Sequence, residues 1–275
     1  MKNRFRFSLS IATEKLSPSA PVIFRGEIQD IIKKAKQIGY DGIELQLRDP
    51  DKLDAEAVKK YCEAEKMGIS AIATGLEYSL NGLSMIDDDN ARREKMRGKL
   101  IKDIELAGFF GCPVIIGCVR GNIPSDRDPS IYLQRFQKEM LLLSDVAEQH
   151  HVTLVLEAIN FYLNNYLNTI QETCDFIDSL GRSNIKLHID THHMVIEEIN
   201  MARAVRYAGS RIGYVHFADN NRMYPGAGSI DFKSIVEALD SVHYNGYITL
   251  EIIPRPSDEA CAVRGLEYLN SLMNI

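Results

Sequence analysis

The stretch Lys186-Leu187-His188-Ile189-Asp190 alternates polar and aliphatic side chains and ends on a carboxylate. Successive side chains of a β-strand point to opposite faces, so the two aliphatic residues share one face and the three polar residues share the other. An aliphatic face is typical of a strand that is covered by helices. The stretch therefore predicts a buried strand whose inner, polar face ends in a functional side chain.

The same alternation recurs in three further segments, each with one ionisable residue near its carboxyl end on the polar face. These are Glu157 in Thr153–Glu157, His216 in Gly213–Ala218 and Glu251 in Tyr247–Ile252. Together with Asp190, they predict four functional side chains on one end of one sheet.

Strand-like and helix-like segments alternate along the whole chain. The remaining predicted strands are Arg4–Ala12, Gly42–Gln46, Ser70–Thr74 and Val114–Cys118. Eight helices are predicted near residues 26–38, 54–67, 89–110, 130–150, 168–180, 198–208, 231–242 and 257–272. Regular alternation indicates parallel strands joined by helices, and the 275 residues are close to the roughly 250 of a closed barrel. We predict an α/β fold, a single (β/α)8 barrel over residues 1–275, with an open doubly wound sheet as the alternative.

The carboxyl ends of barrel strands carry the active site, so Glu157, Asp190, His216 and Glu251 should converge there. Three carboxylates alone would repel one another and raise one another's pKa values. A divalent cation removes that conflict and accepts all four side chains as ligands. One imidazole with three carboxylates suits Mn²⁺, Mg²⁺ or Co²⁺ better than it suits a closed structural zinc site, and Zn²⁺ is a further alternative. For any one of these residues alone, the competing interpretation is a helix cap or a surface turn.

Three further residues are candidates for substrate binding. His193 follows the aspartate ligand by three residues, Arg222 follows the histidine ligand by six, and Glu44 ends the second strand. The alternative for Arg222 is an exposed charge. His188, one layer below Asp190, is expected to be a core histidine with satisfied hydrogen bonds.

Two features bear on binding of an anion. The glycine-containing loop 224–232 can offer backbone N–H groups to an anion, or it is a plain loop in which Ser229 or Asp231 caps the next helix. Arg120, Arg222 and Arg255 are candidates for a phosphate group on the substrate.

Composition narrows the choice of partners and compartment. A net charge of -6 gives little attraction to a phosphate backbone, so no nucleic-acid partner is expected. No segment approaches the roughly 20 apolar residues that span a bilayer, so no membrane partner is expected. The N-terminal segment is too polar for a secretion signal, and five scattered cysteines fit reduced thiols. A cytoplasmic protein is expected.

The motifs Glu157-Ala-Ile-Asn160, Asp190-Thr-His-His193-Met, His216-Phe-Ala-Asp-Asn-Asn-Arg222 and Leu250-Glu251 resemble the xylose-isomerase-like barrel superfamily, over nearly the whole chain. Within it, the chain is most similar to the D-tagatose and D-psicose 3-epimerase group of ketose epimerases. The resemblance implies that the four proposed ligands hold Mn²⁺ or a similar ion, that His193 and Arg222 bind substrate oxygens, and that such barrels often pair into homo-oligomers.

The chain departs from that pattern beside the first ligand. Ketose epimerases usually have a further glutamate six residues after it, where this chain has Leu163, and Phe161 replaces a polar residue next to Asn160. These two positions leave the identity of the sugar, and whether it is phosphorylated, open.

The resemblance implies a metal-dependent isomerase that acts on a sugar or sugar phosphate, with C3 epimerisation of a ketose favoured. One of Glu157 and Glu251 would remove the C3 proton, and the other would return a proton to the opposite face of the enediolate. The alternatives are an aldose–ketose isomerase such as a hydroxypyruvate-isomerase-like enzyme, a metal-dependent dehydratase of a cyclic keto compound, an endonuclease IV-like nuclease and a non-catalytic sugar-binding module.

Overall fold

A computed structural model describes residues 5–273, and a parallel sheet of nine strands lies at its centre. The strands are β1 (Arg6–Ala12), β2 (Phe24–Arg25), β3 (Gly42–Gln46), β4 (Gly68–Ala73), β5 (Val114–Ile116), β6 (Leu154–Glu157), β7 (Ile185–Asp190), β8 (Ile212–Phe217) and β9 (Tyr247–Leu250). Because β1 pairs with both β3 and β9, eight of the strands close into a barrel, and β2 pairs with β1 outside it. The predicted (β/α)8 barrel is confirmed, and the open sheet is excluded.

Ten α-helices are present in the described part of the chain. They are α1 (Ile28–Ile38), α2 (Ala55–Glu65), α3 (Gly75–Asn81), α4 (Asn90–Phe110), α5 (Pro129–Gln149), α6 (Ile170–Leu180), α7 (Thr191–Glu197), α8 (Met201–Ala208), α9 (Phe232–Ser241) and α10 (Asp258–Met273). Eight of them match the predicted helices to within about three residues. The short helices α3 and α7 were not predicted, because seven residues are too few to show a helical period. The predicted start of the first strand at Arg4 lies outside the described residues.

Side-chain alternation along the strands produces two separate apolar clusters. A small inner cluster fills the barrel and consists of Ala71, Ala73, Ile115, Val155 and Tyr214. The aliphatic residues of the opposite faces, such as Leu187 and Ile189, belong to a larger cluster with the helices. The assignment of inward and outward faces from the sequence is therefore confirmed.

Glycines end several helices as the sequence predicted. Gly39 ends α1 with φ 113° and Gly111 ends α4 with φ 70°, and the N–H of each bonds carbonyls of the helix it ends. This left-handed conformation suits glycine because it has no Cβ. The chain can therefore turn back into β3 and β5 without strain.

Within residues 5–273, no helix has the length and apolar character that a bilayer crossing requires. The five cysteines are all free thiols.

Candidate metal centre and active site

The four predicted ligands converge at the carboxyl ends of β6 to β9. Asp190 and His216 are register partners on β7 and β8, while Glu157 and Glu251 lie at the ends of the flanking strands. Asp190, His216 and Glu251 each offer a ligand atom, and these atoms lie within 4.8 Å of one another. Glu157, Asp190 and His193 form a second such group. This cluster of buried carboxylates and imidazoles can hold a metal ion.

His216 presents one ring nitrogen to this cluster. Its Nδ1 lies 3.6 Å from Oε2 of Glu251 and 3.9 Å from Oδ2 of Asp190, and it is buried with no hydrogen-bond partner among the described residues. A buried polar atom that lacks a partner is uncommon. A nitrogen that faces two carboxylates at these distances fits a divalent cation held by all three groups, so the side chains present fit the implied metal.

Arg222 connects two of the carboxylates. Its Nη1 donates to Oδ2 of Asp190 at 2.6 Å, and its Nη2 donates to Oε2 of Glu251. The backbone of Arg222 has φ 58° and is fixed by Asp219 and Ile253. The guanidinium therefore lies beside two of the proposed ligands and is not an exposed charge, while its contact with substrate stays a prediction.

The orientation of His193 follows from its neighbour Asn160. Oδ1 of Asn160 accepts the N–H of Tyr162, so its amide nitrogen faces Nδ1 of His193 at 2.7 Å and donates to it. The ring must then carry its proton on Nε2, which lies 3.6 Å from Oε1 of Glu157. His193 thus offers an N–H donor to the site, which is the chemistry that a contact with a substrate oxygen requires. Asn160 was not singled out in the sequence as functional, because its role depends on this cross-loop contact.

Glu157 has close neighbours both at its carboxylate and at its backbone carbonyl. A Cβ on Gly117 would lie 2.4 Å from Oε2 of Glu157, so only glycine leaves room for the carboxylate. Nη1 of Arg120 donates to the backbone carbonyl of Glu157 at 2.8 Å. Arg120 is completely buried, so it is not accessible to a phosphate of a substrate, which was one predicted role.

Burial and mutual repulsion perturb the carboxylates of the site. Burial raises the pKa of Glu157 to about 8, with further contributions from Asp190 and Glu251. Burial also raises the pKa of Glu251, although Arg222 opposes it. Burial acts in the same direction on Asp190, but the charge of Arg222, together with smaller contributions from His193 and His216, outweighs it and holds the pKa of Asp190 below its usual range. A divalent cation would favour the ionised form of all three groups.

The histidines of the site differ in charge. Burial lowers the pKa of His193 to about 3, so its ring is neutral at pH 7. Burial also lowers the pKa of His216, but the carboxylates of Glu44 and Glu251 outweigh it and raise that pKa to about 10. A metal ligand must be a neutral ring, so binding of a cation at Nδ1 would displace a proton.

Glu44 lies deeper in the barrel than its predicted role as a substrate contact requires. It is completely buried, and its Oε2 lies 2.6 Å from Nε2 of His216. The glutamate therefore contacts Nε2 of His216, while Nδ1 of the same ring faces the other proposed ligands. His188 was expected to have satisfied hydrogen bonds, and this expectation is wrong, since neither of its ring nitrogens has a partner among the described residues.

The glycine-containing loop before α9 already binds an anionic group of the protein itself. The carboxylate of Asp219 accepts hydrogen bonds from the N–H groups of Gly226, Gly228 and Ile230, and Asp231 caps α9. The backbone donors that we considered for an external anion are thus used within the protein. The helix-cap interpretation is the correct one.

The two departures from the epimerase pattern lie in an exposed turn after β6. Phe161 and Leu163 are each about half exposed, and the ring of Phe161 contacts Tyr162 with centroids 4.1 Å apart. The N–H of Phe161 bonds Glu197, and the N–H of Leu163 bonds the carbonyl of Asn160. The backbone of this turn is therefore anchored, while its apolar side chains face outward.

Comparison with known proteins identifies relatives over almost the whole barrel. L-ribulose 3-epimerase of Methylomonas sp. (strain DH-1) is 32% identical over 243 residues, which cover 86% of this chain and 84% of that protein. 3-Dehydro-D-guloside 4-epimerase of Escherichia coli (strain K12) is 25% identical over 91% of this chain and 96% of its own length. Both relatives are named as sugar epimerases.

A solved structure agrees with this likeness. D-allulose 3-epimerase from Methylomonas sp., in complex with D-allulose, superposes with a TM-score of 0.81 at 25% identity and covers 98% of this chain and 99% of that one. The family model described as xylose isomerase-like TIM barrel matches residues 32–272. The protein therefore belongs to the xylose isomerase-like TIM barrel family.

Proposed function

We propose that the protein is a divalent-metal-dependent sugar epimerase that inverts the carbon next to the carbonyl of a ketose, with C3 favoured. The observation that carries the proposal is the group of four ligand side chains at the ends of β6 to β9, in which Nδ1 of His216 faces two carboxylates. The relatives named as ketose and keto-sugar epimerases support the same reaction class.

Glu157, Asp190, His216 and Glu251 would hold the metal, a donor set that suits Mn²⁺, Mg²⁺ or Co²⁺, and we favour Mn²⁺ because of the resemblance to the ketose epimerases. When bound, the cation supplies Lewis-acid activation of the carbonyl and lowers the cost of removing the neighbouring proton. His193 and Arg222 bind substrate oxygens, because His193 offers a neutral N–H and Arg222 offers fixed N–H donors within the site.

Glu157 and Glu251 carry out the proton transfers from opposite strands of the cluster. One carboxylate takes the C3 proton, and the electron pair of the broken C–H bond forms the enediolate. The other, protonated, gives a proton to the opposite face of the same carbon, which inverts it. A bound cation would lower the pKa of Glu157 from the value of about 8 that burial gives it, toward the range in which a carboxylate can accept a proton at neutral pH.

The basic groups near the site favour a ketose without a phosphate. Arg120 is completely buried, and the loop N–H groups bind Asp219. The charge of Arg222 is balanced by two carboxylates, so its remaining N–H groups suit neutral sugar oxygens better than a doubly charged phosphate. Arg255, the third predicted candidate, is exposed beyond β9. We therefore propose an unphosphorylated sugar as substrate. The sequence-based predictions of one catalytic domain and of a cytoplasmic location stay part of the proposal. The relatives described above are named as epimerases, so they do not support the alternatives of an aldose–ketose isomerase, a dehydratase or a nuclease.

A panel of ketoses and ketose phosphates, incubated with the protein and Mn²⁺ in D₂O, tests the proposal. We expect loss of the C3–H signal in the NMR spectrum of at least one free ketose, with appearance of its C3 epimer. Loss of a C1 signal with formation of an aldose would instead indicate an aldose–ketose isomerase. An absence of exchange for the whole panel would contradict the proposed reaction.

Replacing either proposed acid–base residue tests the mechanism. Glu157→Gln and Glu251→Gln should each slow exchange of the C3 proton by about 10²–10⁴-fold, since each removes one group that transfers a proton. Glu139→Gln, a buried glutamate on α5 that bonds Arg97, is the control and should keep wild-type exchange. Exchange at the wild-type rate in both site variants would rule out this assignment.

A further inference from the structure

Glu44 on β3 has no role in the reaction described above, yet its carboxylate is completely buried in the barrel. Placing an ionised carboxylate in a protein interior is unfavourable unless it is paired and hydrogen-bonded. Its Oε2 lies 2.6 Å from Nε2 of His216, so the imidazole supplies that partner. The contact is on the side of the ring that faces away from Asp190 and Glu251.

This contact determines which ring nitrogen of His216 is available as a ligand. A carboxylate can only accept a hydrogen bond, so Nε2 must carry the proton that Glu44 receives. The other nitrogen, Nδ1, then has a free lone pair when the ring is neutral. Nδ1 is the atom that faces Asp190 and Glu251, at 3.9 and 3.6 Å.

Gln46, two residues along β3, links Glu44 to a second proposed ligand. Its Nε2 donates to Oε1 of Glu251 at 3.0 Å and lies 3.3 Å from Oε1 of Glu44. Both partners are acceptors, so the amide nitrogen of Gln46 must be the group that faces them. Glu44 and Gln46 of β3 therefore connect His216 with Glu251 through hydrogen bonds.

We propose that Glu44 is a positioning residue that fixes the tautomer and ring orientation of His216 for metal binding, with Gln46 holding Glu44 and Glu251 in register. The proposal rests on the function proposed above. It replaces the substrate contact that the sequence suggested for Glu44, because the carboxylate is completely buried and contacts the histidine.

Metal affinity, measured by isothermal titration calorimetry with Mn²⁺, tests the proposal without reference to turnover. Partners of metal-bound histidines typically contribute 10–100-fold to affinity. Glu44→Gln keeps the size of the side chain but removes its charge, and we expect its Kd for Mn²⁺ to rise by about 10-fold or more. Glu44→Asp keeps the charge but withdraws it by one methylene group, and we expect a comparable loss.

The control is Glu139→Gln, which also neutralises a buried glutamate but lies on α5 beside Arg97. Its Kd should stay within twofold of the wild-type value. A second readout is proton exchange of the substrate at saturating Mn²⁺, which we expect Glu44→Gln to recover largely, since the acid–base residues remain.

The possible results separate the two proposals. A wild-type protein that binds no Mn²⁺ would contradict the proposed function and this inference with it. A wild-type protein that binds Mn²⁺, with both Glu44 variants folded and within twofold of its Kd, would overturn the role of Glu44 and leave the proposed function intact.

Discussion

At the scale of single residues, Arg222 shares its two carboxylate partners with the proposed metal. The guanidinium bonds Asp190 and Glu251, so a cation bound by the same carboxylates lies close to a fixed positive charge. Two like charges a few ångströms apart repel by an energy that burial increases. If Arg222 binds substrate as proposed, its charge would lower the affinity of the site for the metal.

Arg222→Met should consequently bind Mn²⁺ more tightly, by about 10-fold if roughly 1.4 kcal/mol of repulsion is relieved, while its catalytic rate falls. Calorimetric titration measures the first effect and solvent-deuterium exchange the second. Arg255→Met removes the same charge from an exposed position beyond β9 and should change neither. Weaker Mn²⁺ binding in Arg222→Met would show that the guanidinium organises the carboxylates instead.

Alternation along the strands was sufficient to predict which residues reach the site, but not which residues they contact there. Glu157, Asp190, His216 and Glu251 follow from inward-facing positions at strand ends. The contacts of Glu44 with His216 and of Asn160 with His193 cross between separate elements and depend on side-chain torsions. No local pattern in the sequence encodes such contacts.

At the scale of elements, helix α4 carries the buried carboxyl group of Asp103, whose charge is not balanced by its neighbours. Burial raises the pKa of Asp103 well above its ordinary value, Glu77 adds to that effect, and Lys99 opposes it. Nζ of Lys99 lies 2.6 Å from Oε1 of Glu77, so the positive charge of Lys99 is divided between Glu77 and Asp103. Helix α3, which the sequence did not reveal, supplies Glu77 and thereby creates this environment.

The raised pKa makes the stability of the fold sensitive to pH. A carboxyl with a higher pKa in the folded state holds more protons there, so its contribution to stability is present at low pH and is lost as pH rises through the folded pKa. Asp103→Asn should therefore unfold at a higher temperature than wild type at pH 8, by a few degrees, and show less difference at pH 5.

Thermal unfolding at the two pH values measures this effect. Glu105→Gln, an exposed position on the same helix, is the control and should follow the wild type at both. A smaller advantage of Asp103→Asn at pH 8 than at pH 5 would contradict the sign of the effect.

At the scale of the whole molecule, the proposed metal joins four neighbouring strands of the closed barrel. A ligand that binds only the folded state stabilises it by about 2.7 kcal/mol at a free concentration 100 times its Kd. We therefore expect Mn²⁺ to raise the unfolding temperature of the wild type by several degrees over that in EDTA. The increase should disappear in Asp190→Asn, and an equal increase in that variant would place the ion elsewhere.

The barrel itself was predictable because strand-like and helix-like segments alternate regularly along the whole sequence. Eight strand-like segments that alternate with helices predicted the number and direction of the barrel strands, and the last four also showed an aliphatic outer face. The two-residue strand β2 and the short helices α3 and α7 were missed, since each is too short to show a period. Assembly into a homo-oligomer stays a prediction from the resemblance.

The pairing of β1 with β9 has a consequence for how the protein is made. During synthesis, β1 emerges before the other barrel strands. Strand β2 then pairs with Ile11 and Ala12 only, so the part of that edge of β1 at Arg6–Leu9 stays unpaired until β9 is made. Glu251, which directly follows β9, arrives with that strand. The complete set of proposed ligands thus exists only when the barrel has closed, so an incomplete nascent chain cannot bind the ion in its native way. Metal loading would then be a late event that marks a closed barrel.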